Sequence, residues 1–120
     1  MSIVPRQLVW YEVNSYVHSQ ILKTLLEMMR VDNFDSITIS RLTAKAEVGR
    51  ASFYRNYQTK EDVLRQEAER LNNELNNIRR NDDPNDYRLK LLRTLDFYKA
   101  NSDFYMTIYN AAASRSEERR

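Results

Sequence analysis

Arg50, Ser52, Tyr54, Arg55 and Asn56 fall within seven consecutive residues that contain no acid. Guanidinium, hydroxyl and amide groups gathered in this way can bond phosphate oxygens, which fix position on a duplex, and base edges, which carry sequence. Phe53 and Tyr57 interrupt the run at a spacing that turns both toward a core if the segment is helical. The wider stretch 38–60, TISRLTAKAEVGRASFYRNYQTK, carries Arg41, Lys45, Arg50, Arg55 and Lys60 against the single acid Glu47. The whole chain carries only +2. Positive charge concentrated on one short segment and mixed with Tyr, Ser and Asn is the electrostatic footprint of a nucleic-acid reader.

Two short helices joined by a tight turn would present these groups. Thr38 is suited to cap the first helix, with Ile39, Leu42 and Ala46 on its inner face. Glu47-Val48-Gly49 breaks that pattern. A second helix over residues 50–57 then keeps Arg50, Ser52, Tyr54, Arg55 and Asn56 outside, in a form that can lie in the major groove.

The segment ILKTLLEMMRVDNFDSITISRLTAKAEVGRASFYRNYQTKEDVL, within residues 17–75, resembles the N-terminal DNA-binding domain of TetR-type transcriptional regulators. The order is shared: an apolar first helix, a turn, Thr at the second helix, Phe-Tyr-x-x-Tyr closing the recognition segment, and Lys-Glu-Asp starting a long fourth helix. Asn33 and Glu47 stand where the family often has Gly. Asn is the residue next most tolerant of a left-handed backbone, so a helix end at Asn33 is kept, and Gly49 can act as a permissive cap.

The resemblance implies a DNA site made of Thr38 and Ser40 at the second helix, Arg50, Ala51, Ser52, Tyr54, Arg55 and Asn56 in the recognition helix, and Lys60 as a phosphate clamp. Arg50 is the first choice for a base reader, because a guanidinium can bond both O6 and N7 of guanine. Ala51 is small enough for close approach and can meet a thymine methyl. Tyr54 and Lys60 are expected on the backbone, whereas Arg41 and Lys45 act as a solvated face with long-range pull on phosphate. Double-stranded DNA is the implied partner, read by a homodimer on two half-sites. A small-molecule effector is a further partner of such regulators.

Composition agrees with an all-α fold. With one Gly and two Pro in 120 residues, the chain lacks the turn residues that a many-stranded sheet needs. It is expected to form a TetR-like three-helix DNA-binding domain with its helix-turn-helix, a long helix 4 and the first helices of a helical regulatory domain. The absence of cysteine excludes disulfides and thiolate metal sites and fits a cytoplasmic protein. No run of about eighteen apolar residues suggests a membrane span. A single histidine and no cysteine leave few ways to build an enzyme. Neither a cofactor nor a metal is expected.

In order, the expected organisation is a leader over 1–12, a helix-turn-helix domain over 13–62, connecting helix 4 over 63–80, an incomplete regulatory and dimerisation region over 84–113, and a frayed tail over 114–120. In the leader, Arg6 could serve as a minor-groove arm, though a partly ordered segment with Trp10 covering the domain is the plainer reading. Helix 1 is expected over 13–31, with Val17, Ile21, Leu25 and Met28 inward. In helix 4, Leu64, Ala68, Leu71, Leu75 and Ile78 form an apolar stripe. The acidic stretch 81–86 reads as a loop, since it lacks the spacing of a calcium loop. Helix 5 is expected over 84–100 with Tyr87, Leu91, Leu95 and Tyr98 on its packed face, widened by Leu92 and Phe97. Helix 6 is expected over 103–113. Phe97, Tyr98, Phe104, Tyr105 and Tyr109 are candidates for core packing, an effector pocket or an interface. Helix 4 and these aromatic helices also support an alternative function, a helical protein-protein interaction module.

Overall fold

The computed structural model describes the backbone of residues 6–81 and 83–118 and the side chains of 14–80 and 83–115. The order is α1 Arg6–Val31, a single 3-10 turn Phe34–Ser36, α2 Ile39–Ala46, α3 Arg50–Asn56, α4 Lys60–Asn81, α5 Tyr87–Ala100 and α6 Ser102–Glu118, with no strand among the described residues. None of these helices is long and apolar enough to cross a membrane. The first helix starts at Arg6, earlier than the expected residue 13. No Gly or Pro stands between Arg6 and Val31, so a helix nucleated on the apolar stripe can extend toward its N-terminus at little cost. The expectations for the Arg6 and Trp10 side chains lie outside the described residues.

Up to Leu64 the chain forms one compact unit, and from Arg65 onward a second. In the first, α1 packs on α2 and α3, and α2 on α3. Val17, Ile21, Leu25 and Met28 meet Ile37, Leu42, Ala46, Phe53, Tyr57 and Val63 in one core, every member at most 6% exposed. Burying a side chain of the Val, Leu, Ile, Met or Phe class is worth about 1.5–3 kcal/mol, so these residues can offset the ordering of three short segments that would not be stable helices alone. Asn33 ends no helix in a left-handed state. Its backbone is extended, with φ −64° and ψ 131°, and its side chain accepts from the Asp35 amide to cap the 3-10 turn.

In the second unit α5 packs against α6. Leu71 and Leu75 of α4, Phe97 of α5, and Phe104 and Thr107 of α6 are buried. Tyr98 and Tyr105 rings meet at 5.1 Å. Burial, then Tyr98 and the carboxylates of Glu67 and Glu74, push the Tyr105 phenol above its ordinary value. On α4, Arg70 bonds Glu67 and Glu74 one turn to either side.

Four expectations change here. Ala68 is exposed, which interrupts the α4 stripe close to the boundary between the units. Asp86 caps α5 by accepting from the Leu89 amide, so that helix starts at Tyr87 rather than at residue 84. On α5 the expected packed face is turned outward, since Tyr87, Leu91, Leu92, Leu95 and Tyr98 are all exposed and Phe97 alone of that set is buried. Adjacent residues lie about 100° apart on a helix, so placing Phe97 inward rotates most of the stripe away. Finally, α6 continues to Glu118 instead of fraying near residue 114. Ser, Arg and Glu propagate an existing helix adequately without an apolar face.

Candidate nucleic-acid interface

The hairpin is built from caps. Thr38 has extended backbone, and its hydroxyl oxygen accepts from the Arg41 amide at 3.1 Å, satisfying one open donor of α2. Thr43, on the buried side of α2, donates its hydroxyl to the Ile39 carbonyl at 2.9 Å. Leu42 and Ala46 then fix α2 on the core.

The turn closes through Glu47, whose φ of 56° and ψ of 40° are left-handed. No other non-glycine residue among those described has positive φ. The Val48 amide reaches back to the Thr43 carbonyl at 3.0 Å, the long bond of a Schellman-type helix end, and Val48 packs on the core. A glutamate here bears the steric cost that glycine would avoid. Gly49, with φ −65° and ψ 147°, is the N-cap of α3 without a side-chain cap bond.

In α3, buried Phe53 faces inward, followed by the buried cap residue Tyr57, and their rings lie 5.2 Å apart. The Tyr57 hydroxyl shares a hydrogen bond with Nδ1 of His18 on α1, and the two rings meet edge to face at 5.0 Å. That makes His18 a satisfied, half-buried support for the end of α3 rather than a ligand. The opposite side is open: Arg50, Ala51, Tyr54 and Arg55 are exposed. At 100° per residue they span an arc of about 140°, which a groove can receive. Ser52 and Asn56 are half-buried and by the same count lie about 60° and 100° past Arg55, and the Asn56 amide donates to the Ser52 carbonyl at 2.9 Å. Thr38 and Ser40 are exposed at the start of α2.

Lys60, expected as a phosphate clamp, has partners within the protein. Its ammonium donates to the Phe34 carbonyl at 2.6 Å and the Ile37 carbonyl at 2.9 Å, and lies 4.5 Å from the centre of the Phe34 ring. Two of three ammonium protons therefore hold backbone on either side of the 3-10 turn. Sequence spacing could not reveal these partners, which are more than twenty residues away. Arg41 is likewise engaged, with Asp32 at 3.0 Å, although an exposed pair of this kind contributes at most about 1 kcal/mol. Thr59 caps α4 by accepting from the Asp62 amide, while the Asp62 carboxylate accepts from the Gln58 amide at 2.8 Å. In a capping box the carboxylate would reach the cap residue's own amide, so here the exchange is shifted by one residue.

A helix-turn-helix with a left-handed turn, an apolar inner side and a cationic outer side is the architecture of a major-groove reader. Residues 21–66 match the family model for bacterial regulatory proteins of the tetR family. No curated protein and no solved structure matches the chain. On this geometry and this match, residues 21–66 form a helix-turn-helix domain of the kind found in bacterial regulatory proteins of the tetR family, a DNA-binding fold.

Proposed function

We propose that the chain is a sequence-specific repressor that acts in the cytoplasm as a homodimer and lays α3 in the major groove. The observation that carries this reading is the single exposed arc of Arg50, Ala51, Tyr54 and Arg55, opposite buried Phe53. Arg50, on the first turn, reads guanine through O6 and N7. Ala51 allows close approach and meets a thymine methyl, Ser52 borders the contact, and Asn56 contributes from the end of the helix. Tyr54, Arg55, Thr38 and Ser40 hold phosphates. Lys60 contributes chiefly by fixing the approach to Thr38. Repression needs no more than occupancy, since a protein seated on an operator excludes polymerase by volume. One recognition helix covers few base pairs, so two copies on half-sites about one helical turn apart supply the selectivity.

Footprinting on DNA flanking the chain's own coding region, followed by anisotropy titration of the protected duplex, tests this. Arg50→Ala is expected to weaken the specific site by roughly 10- to 100-fold while leaving binding to unrelated duplex nearly unchanged. Equal loss on both duplexes, or none on either, would overturn the assignment of Arg50 as base reader.

A further inference from the structure

The two ends of α3 are held differently. It starts at Gly49, a cap with no side-chain bond, and closes at Tyr57, whose hydroxyl meets Nδ1 of His18 on α1, 39 residues away in sequence. The Tyr57 ring is buried and sits edge to face with the imidazole, which is half-buried. Between the ends lies fully buried Phe53. Apolar burial has no preferred direction, so Phe53 fixes how deep this seven-residue helix lies and leaves its rotation about its own axis open. A hydrogen bond does have a direction.

We infer that His18 is a positioning residue for DNA recognition: through the Tyr57 hydroxyl it sets the rotation of α3 and so aims the arc of Arg50, Ala51, Tyr54 and Arg55. At about 5 Å from the helix axis, a turn of about 20° displaces a side-chain atom by about 2 Å. Hydrogen bonds to base edges tolerate a spread of about 0.5 Å, whereas a long cation still finds phosphate from a displaced position. Loss of the His18 bond therefore falls on base reading and spares the contacts that give sequence-independent binding. The inference rests on the reading of α3 as the base-contacting helix.

Anisotropy titrations of the full chain on the footprinted duplex and on an unrelated duplex of equal length test this. Tyr57→Phe keeps the ring and removes the hydroxyl. It is expected to weaken binding to the footprinted duplex roughly tenfold and to the unrelated one by less than about twofold. His18→Leu should do the same, and the two substitutions together should lose no more than either alone, since both break one bond. His18→Asn, whose side-chain amide can stand where Nδ1 stands, should restore most of the preference. A role in core packing alone would lower the urea midpoint and leave the ratio of the two affinities unchanged, and that result overturns the inference. Additive losses overturn it too, as does His18→Asn behaving like His18→Leu. A wild type that binds both duplexes alike overturns the reading of α3 itself, and the inference with it.

Discussion

In the unit up to Leu64, α1, α2 and α3 each direct their regularly spaced apolar residues into one core, from Val17 to Val63. From Arg65 onward, Leu71, Leu75, Phe97 and Phe104 are buried, yet Tyr87, Leu91, Leu92, Leu95, Tyr98, Met106 and Tyr109 stay at 43–77% exposure. Apolar residues at helical spacing thus have opposite outcomes in the two units. Where caps and a closed turn fix the rotation of α2 and α3, the stripe can face only one way. Where α5 packs on α6, a single aromatic such as Phe97 decides the rotation, and the longer stripe is left for something else to cover.

The sharpest test of this contrast compares Phe53→Ala with Leu91→Ala. Phe53 is fully buried at the centre of the first core, so its truncation should cost about 3–5 kcal/mol. Leu91→Ala should stay within about 0.5 kcal/mol at concentrations where the chain is monomeric. Urea unfolding followed by circular dichroism measures both, and comparable losses would erase the distinction.

A smaller effect separates two roles for Lys60. If its ammonium chiefly holds the Phe34 and Ile37 carbonyls, Lys60→Met should lower the stability of the first unit by about 1.5–3 kcal/mol, the range for hydrogen bonds to a charged group. The salt slope of DNA binding should then stay as in the wild type. Unchanged stability with a slope reduced by about one would restore the phosphate clamp.

The smallest effect is a gain. Glu47→Gly removes the left-handed penalty at the turn and should stabilise the hairpin by up to about 1 kcal/mol, partly offset by the greater freedom of glycine when unfolded. Thermal unfolding that shows a loss instead would mean the glutamate side chain is itself needed.

The hairpin was legible because its signals are local. Thr38 as cap, Phe53 and Tyr57 as inward residues, and Arg50, Ala51, Tyr54 and Arg55 as outward ones all follow from spacing within a few turns. The protein partners of Lys60 were not legible because they come from a distant segment, and a lysine's reach is invisible in sequence. The Asn33 and Glu47 backbones were not separable by residue type. Asn tolerates left-handed geometry better, but the Val48 bond to Thr43 requires it at Glu47. On α5 the stripe was visible and its direction was not, since a helix with apolar residues around most of its circumference does not specify which neighbour it will meet.

Through one ammonium, the carbonyls of Phe34 and Ile37 are drawn together just ahead of Thr38. The entrance to α2 is thereby set during folding, before any duplex arrives. An operator phosphate reaching Thr38 or Ser40 would meet a socket already shaped to receive it, and the encounter would lose little additional freedom in closing.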